Sequence, residues 1–263
     1  MAILFKANIK CVMTFMLLIS LEGWCAPSAP AALSPLTPAS QEPIYFGAPL
    51  CGTPAFECII IKAHETWENK FSDAAQRDLV QRLNRTYNHL IPGQRLVVPK
   101  NLAKATLMEL APFPHQIIDK EKQLIVDQDK LAWGAFNAEG QLVNWGPIAS
   151  GRDKCPDSAN SCRTLTGTYR VFSKEGPDCK SDIFPIGRGG AKMPYCMYFH
   201  KGFALHGSED IPGFRASHGC IRMFIRDAKW LNDEFVESFS ERNDRPGTKV
   251  VVRPVSAPST YRR

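Results

Sequence analysis

The sequence predicts a mainly β protein: a β sandwich or barrel with one or two helices, preceded by a small α+β unit. Residues 112–255 contain many short apolar runs broken by polar turn residues, which is typical of all-β architectures. Within this region only residues 226–238 carry apolar side chains at helical spacing. Residues 44–100 instead alternate strand-like and helix-like segments. We therefore expect two domains, with the larger one built from strands.

The β strands of the larger domain are predicted one by one from these runs. Each run has apolar or β-branched residues and is bounded by turn residues such as those at 138–140. The predicted strands are 116–119, 123–128, 131–137, 142–150, 168–172, 197–199, 203–206 and 249–253.

Composition excludes several classes of protein. The chain has 263 residues, of which 44% are hydrophobic and 22% charged, close to an ordinary globular mixture. This excludes wholesale disorder, a coiled-coil rod and a multi-span membrane protein. The net charge of +6 suits an anionic polymer as partner, but it is too small and too scattered to predict nucleic-acid binding.

The first 26 residues have the pattern of a secretory signal. Lys6 and Lys10 precede an apolar run at 11–21, shorter than the ~20 residues that a membrane span needs. Small residues flank a cleavage point after Cys25 or Ala26. An uncleaved anchor is the alternative; a lipoprotein at Cys25 is disfavoured by the bulky residue before it. We expect an exported protein with a Pro- and Ala-rich linker at 27–43 and a flexible tail at 256–263.

Export changes the meaning of the nine cysteines. Removal of the signal leaves seven: Cys51, Cys58, Cys155, Cys162, Cys179, Cys196 and Cys220. An odd number in an oxidising compartment predicts one free thiol. Equal spacing favours pairing the first with the second and the third with the fourth, which leaves the fifth for the sixth and Cys220 single. Other connectivities remain open at this point.

The small unit begins with a strand-like segment at 59–61 and a helical start at 64–67. Helical spacing follows at 73–84, and a turn at 90–94 leads into a closing strand that ends at Pro99. This order, with Glu65-Thr66-Trp67-Glu68 and the segment 91–99, resembles a LysM module, although His64-Glu65 replaces the usual Gly-Asp. The resemblance implies binding to N-acetylglucosamine polymers. The alternative is a degenerate module that only packs on the larger domain.

Cys220 has the residue type of a nucleophile, and His206 and His218 have that of its base. A thiol must lose its proton to attack carbon, and we expect a nearby histidine to ionise Cys220. His218, if it lay on a strand with Cys220, would point to the same face. Gly219 permits a close approach of backbone or substrate, and free N–H groups at a turn after Cys220 would hold an oxyanion.

His206-Gly207 followed by Ser217-His218-Gly219-Cys220 resembles the signature of the YkuD-type L,D-transpeptidase catalytic domain. Similarity extends over residues 115–254, including the segments 124–126, 140–143, 147–151, 164–169, 193–195 and 245–249. Two positions depart from the family pattern: Leu165 stands in place of Pro, and Arg222 stands where Asn is frequent.

The resemblance implies a role for each matched residue. Cys220 is the nucleophile and His206 the general base, whose other ring nitrogen is held by the carbonyl of Gly207. Ser217 and His218 shape the site, and the N–H groups of Gly219 and Cys220 are candidate oxyanion donors. The substrate-binding candidates are Met193, Tyr195, Tyr198 and Arg222, with either tyrosine as a phenol donor to the oxyanion.

The implied activity is peptidoglycan L,D-transpeptidation in the periplasm. Its partners are stem peptides and glycan strands; the acceptor can be another stem peptide, an outer-membrane lipoprotein or a D-amino acid. The resemblance implies no metal and no organic cofactor, no nucleic acid, and no membrane contact beyond the export signal. Two alternatives stay open: an L,D-carboxypeptidase, in which water replaces the amine, and a wall-binding protein with an inactive catalytic domain.

Several of these residues also admit a purely structural interpretation. Cys220 could be one more buried cysteine, and a zinc site formed with His200, His206 and His218 is disfavoured because no paired metal-binding motif accompanies it. Four further positions are assigned by residue type. Trp133 and Trp145 are assigned to the core and Asp227 to a helix N-terminus. Arg188 is assigned to a solvated loop, with contact to a peptide carboxylate as the alternative.

Overall fold

The structure is a computed structural model that describes residues 45–156, 159, 161–182, 191–244 and 246–256. The predicted signal at 1–26, the linker at 27–43, Arg188 and the tail from 257 onward lie outside the described residues. Within the described part, none of the helices has the length and apolar character that crossing a membrane requires.

The small N-terminal unit has the predicted strand–helix–helix–strand order. Its elements are β1 (Phe56–Ile60), α1 (Trp67–Lys70), α2 (Ala74–Leu83) and β2 (Arg95–Pro99), and the two strands pair antiparallel. Each helix begins where a side chain caps it: the Thr66 hydroxyl accepts from the N–H of Asn69, and Asp73 accepts from that of Gln76. The interior is apolar and contains Ile61, Trp67, Val80, Leu96 and Val98.

The other strands form one nine-stranded sheet in the described part of the chain. They are β3 (Gln123–Asp127), β4 (Ala132–Phe136), β5 (Leu142–Ala149), β6 (Gly167–Arg170), β7 (Ser173–Lys174), β8 (Met197–His200), β9 (Phe203–Gly207), β10 (Ile221–Met223) and β11 (Lys249–Val252). Their order in the sheet is β6-β11-β3-β4-β5-β10-β9-β8-β7. The predicted mainly β fold is confirmed.

The sheet is mixed and curls around the main core. Neighbouring strands are antiparallel except for two parallel pairs, β3 with β11 and β9 with β10. Tyr169 of β6 and Phe199 of β8 have ring centroids 5.3 Å apart, so strands from opposite ends of the order meet. Helix α3 (Ile225–Trp230) continues into a π turn (Leu231–Phe235) and packs on this core. Trp133 lies in the main core and is fully buried.

The opposite face of β3, β4 and β5 is covered by the segment that connects the N-terminal unit to the sheet. Residues 107–113 supply apolar side chains that pack on Phe136 and Trp145. The indole N–H of Trp145 donates to the carbonyl of Leu107 at 2.6 Å. Trp133 and Trp145 are therefore both core residues, as predicted.

The secondary-structure predictions differ from the structure in one absent strand, two additional strands and one helix end. Residues 116–119 form no strand; Gln116 makes only an isolated bridge to Gln141. Strands β7 and β10 were not predicted, because two or three residues are too few to show alternation. The predicted helix at 226–238 ends at Phe235, because Val236 is extended.

Three disulfides join the cysteines that the spacing favours: Cys51–Cys58, Cys155–Cys162 and Cys179–Cys196. Among the described cysteines, Cys220 alone is unpaired.

Candidate active site

Strands β9 and β10 place His206 and Cys220 on one face of the sheet. The parallel register sets Leu205 opposite Ile221 and His206 opposite Arg222. Leu205 and Ile221 belong to the main core, so the alternating residues point the other way. His206 and Arg222 share that second face. Cys220 comes directly before β10 and packs in a cluster with Ala204, which lies two residues before His206 on β9 and therefore shares its face.

The Cys220 sulfur lies over the start of β9. Its Sγ is 3.6 Å from the carbonyl oxygen of Gly202, and the N–H of Ala204 donates to it. Burial raises the pKa of the Cys220 thiol, and this outweighs the opposing effects of the Ala204 hydrogen bond and the Arg222 charge. At neutral pH the resting side chain is therefore a protonated thiol.

His206 is buried with one ring nitrogen fixed. Its Nδ1–H donates to the Gly207 carbonyl at 2.8 Å, the partner that the family resemblance implied. Because a carbonyl can only accept, Nε2 is left with a lone pair for a proton. Burial lowers the pKa of His206 to about 4, and the nearby Arg222 charge acts in the same direction.

Burial opposes both charges of a thiolate–imidazolium pair, because it raises the pKa of Cys220 and lowers that of His206. Both shifts favour a neutral thiol beside a neutral imidazole at rest. Ionisation of Cys220 by a histidine stays a prediction.

The turn that precedes Cys220 is held by Ser217. Its Oγ accepts from the N–H of Gly219 at 3.0 Å and donates to the Cys220 carbonyl at 2.5 Å. The Gly219 N–H therefore has a side-chain partner in this structure. The assignment of the Gly219 and Cys220 N–H groups as oxyanion donors stays a prediction. Residues 218–220 form a bend, so the strand alternation expected to align His218 with Cys220 does not apply.

Thr164 supports the same turn, a role that no sequence pattern predicted. Its buried hydroxyl donates to the Gly219 carbonyl at 2.7 Å and accepts from the N–H of Gly151 at 2.8 Å. Gly219 has a φ of +126°, and a Cβ there would lie 2.9 Å from Cε1 of Phe203. The turn requires glycine on both counts.

Three of the four substrate-binding candidates lie at the site, and the fourth, Tyr195, does not. Met193 and Tyr198 join Cys220 in a small cluster with the Cys179–Cys196 disulfide, which we name the Cys220 cluster. Burial raises the pKa of Tyr198, so its phenol is a donor at neutral pH. Arg222 faces the site and donates through Nη1 to Asp210 at 2.7 Å. Tyr195 instead packs on the main core, with Lys229 Nζ 5.6 Å from its ring centroid.

Several solved structures resemble this chain. An L,D-transpeptidase from Xylanimonas cellulosilytica is 23% identical, covers 67% of this chain and 78% of its own, and gives a TM-score of 0.48. An L,D-transpeptidase from Stackebrandtia nassauensis is 18% identical, with coverages of 70% and 68% and a TM-score of 0.40. L,D-transpeptidase 3 from Mycobacterium tuberculosis, in complex with a faropenem-derived adduct, is 18% identical, with coverages of 51% and 60% and a TM-score of 0.40.

No curated protein sequence is a significant match. A family model does match: YkuD, the L,D-transpeptidase catalytic domain, over residues 121–252, which is half of the chain and contains the whole site described above. The chain belongs to the YkuD family of L,D-transpeptidase catalytic domains.

Proposed function

We propose that this protein is a peptidoglycan L,D-transpeptidase in which Cys220 is the nucleophile and His206 the general base. One observation carries the proposal. The bend before β10 sets the free thiol beside Ala204, on the face of β9 that also carries the neutral, tautomer-fixed imidazole of His206. A thiol and a base in this relation support acyl transfer.

The first half of the reaction releases D-Ala from a tetrapeptide stem. His206 Nε2 takes the Cys220 proton while the sulfur attacks the carbonyl carbon of the L-centred residue before D-Ala. The Cys220 N–H and the Tyr198 phenol are the candidate donors to the oxyanion. The carbon–nitrogen bond then breaks, His206 returns its proton to the leaving nitrogen, and a thioester remains on Cys220.

The second half passes the acyl group to an amine. His206 takes a proton from the acceptor amine as its nitrogen attacks the thioester carbon. The carbon–sulfur bond breaks, and the proton goes to the Cys220 sulfur, which restores the thiol. With water in place of the amine, the same steps give L,D-carboxypeptidase activity.

Intact mass spectrometry tests the proposal directly. We expect tetrapeptide to add its acyl group, less D-Ala, to the parent protein, and a carbapenem to add its whole mass. Cys220→Ala should give neither adduct, whereas Cys51→Ser/Cys58→Ser, which removes the disulfide of the N-terminal unit, should keep both. An adduct on Cys220→Ala would overturn the mechanism. Crosslinked dimers among the products indicate transpeptidation, and tripeptide alone indicates the carboxypeptidase.

We further propose that the protein works in the periplasm and that its N-terminal unit is a LysM module that contacts glycan strands. Three disulfides suit an oxidising compartment, and the βααβ order suits the module. N-terminal sequencing of exported protein should find cleavage near Ala26, and calorimetry with chito-oligosaccharides should detect binding. An intact N-terminus would contradict export, and an absence of heat would contradict glycan binding.

A further inference from the structure

The N-terminal unit touches the loop that leaves the candidate base. Strand β9 carries His206 and leads directly into residues 208–212. Asn88 lies in the connection between α2 and β2, and both polar atoms of its side-chain amide form hydrogen bonds with this loop. Its Oδ1 accepts from the N–H of Ile211 at 2.8 Å, and its Nδ2 donates to Oδ1 of Asp210 at 2.9 Å.

Asn88 is itself held from within the N-terminal unit. Its carbonyl accepts from the indole N–H of Trp67 at 2.8 Å, and its N–H donates to the hydroxyl of Thr86 at 3.2 Å. Trp67 belongs to the apolar interior of that unit. The position of the Asn88 amide is therefore set by the fold of the N-terminal unit.

Asp210 connects Asn88 to Arg222. The second oxygen of its carboxylate accepts from Nη1 of Arg222 at 2.7 Å. Arg222 stands opposite His206 in the parallel register, and its charge acts on both His206 and Cys220. A continuous line of contacts thus runs from the N-terminal unit to the face that carries the thiol and the imidazole.

These contacts contribute little to folding stability, so we expect their role to be the orientation of Arg222. The Asp210 side chain is 56% exposed, and ion pairs of that exposure contribute about 0–1 kcal/mol to folding. One contact to Asp210 leaves most of the five guanidinium donors of Arg222 for another anion. A carboxylate is the anion whose two oxygens match the guanidinium fork.

We propose that Asn88 and Asp210 are positioning residues that aim Arg222 at the terminal carboxylate of the donor peptide. The inference rests on the proposed function, in which that carboxylate belongs to the D-Ala that leaves. The N-terminal unit is then a part of the donor site itself, because one of its residues sets the direction of the substrate-binding guanidinium.

Asn88→Asp tests this with little disturbance of the fold. The new side chain still offers an oxygen to Ile211, but it loses the donor to Asp210 and sets two carboxylates side by side. We expect the KM for a free-acid tetrapeptide to rise about fivefold, with kcat changed less than about twofold, because binding to a spectator carboxylate is equal in ground and transition states. A tetrapeptide with a C-terminal amide should show no change in KM.

Two matched variants complete the design. Asn137→Asp makes the same charge change in an exposed turn and should leave both substrates unaffected. In an Arg222→Gln background, Asn88→Asp should cause no further loss on the free-acid peptide, because the two residues act on one contact. A thermal midpoint within about 2 °C of the parent would exclude unfolding as the cause.

Three outcomes would overturn the inference: equal losses on the acid and the amide, no change on either peptide, or a further loss in the Arg222→Gln background. Failure of the parent protein to release D-Ala from the free-acid peptide is a different result, because it would overturn the proposed function as well.

Discussion

Arg82 of α2 and Asp227 of α3 form a buried ion pair between the N-terminal unit and the catalytic sheet. Arg82 Nη2 lies 2.6 Å from Oδ1 of Asp227, and Nη1 lies 3.0 Å from Oδ2. The same Nη1 donates to the Trp145 carbonyl at 2.6 Å. Asp227 stands in the first turn of its helix, as the sequence predicted. Its partner lies 145 residues earlier in the chain, and no local sequence pattern predicts the pair.

Removal of the arginine should destabilise the protein strongly. Arg82→Leu leaves the Asp227 carboxylate buried without its partner, and we expect a loss of about 3–5 kcal/mol in the free energy of unfolding. Urea unfolding measures it. Arg226→Leu is the matched control, since this half-exposed arginine on α3 binds Asp78 and should cost at most about 1 kcal/mol. Equal losses for the two arginines would contradict the role of burial.

The folded protein should lose stability in acid through His206. Its pKa is about 4 in the folded state, against about 6.5 in an unfolded chain, so the unfolded state binds the proton first. The stabilisation is complete above pH ~6.5 and falls by about 3 kcal/mol as the pH decreases through ~4. Carboxylates also titrate there, so the measurement is the difference between the parent and His206→Gln. A flat difference would show that His206 is not buried as described.

The reactivity of Cys220 should follow a raised thiol pKa. Because the resting side chain is a protonated thiol, alkylation by iodoacetamide should be slow at neutral pH and should accelerate into the alkaline range. A thiolate–imidazolium pair would instead react rapidly on a plateau between about pH 5 and 8. Mass analysis of samples quenched at successive times gives the alkylation rate at each pH. A plateau in this rate at neutral pH would contradict the protonated resting thiol.

Loss of the Thr164 hydroxyl should weaken the turn before the nucleophile. Thr164→Val leaves the Gly151 N–H and the Gly219 carbonyl without that partner, which costs about 1–3 kcal/mol. Acylation by tetrapeptide should slow, and Thr164→Ser should restore it by keeping the hydroxyl. The exposed Thr166→Val provides the control. Full activity of Thr164→Val would show that the Thr164 hydroxyl does not support the site.

Gly219 should not tolerate a side chain. Gly219→Ala combines a φ of +126° with a contact of 2.9 Å to the Phe203 ring, so the turn must shift and carry Cys220 with it. We expect acylation to fall at least about a hundredfold. Gly176→Ala is the counterpart, because a Cβ there meets no atom within 4 Å. Comparable adduct formation by both variants would refute the requirement.

Sequence patterns predicted the features that local chemistry determines. Helix α2 and strands β3 to β5 lie where the sequence predicted them, and consecutive spacing identified the disulfide partners. The Ser-His-Gly-Cys motif marked the turn before Cys220, but it did not predict the hydrogen bond from the Gly219 N–H to Ser217 that holds this turn.

Pairs that the fold alone brings together were not predictable. Thr164 reaches Gly219 across 55 residues, and Asn88 reaches Asp210 across 122. Strand β10 exists because β5 and β9 flank it, since three residues have no propensity that decides the matter alone. A single sequence carries no trace of such partners.

Strand β11 lies between β3 and β6, so the interior of the sheet depends on a segment that the ribosome makes late. Until it arrives, two strands of the nascent chain expose unpaired edges, and pairing across such a long loop is slow. A nonsense codon upstream of Lys249 should therefore yield an insoluble product prone to edge-to-edge association, rather than a folded protein that merely lacks this strand.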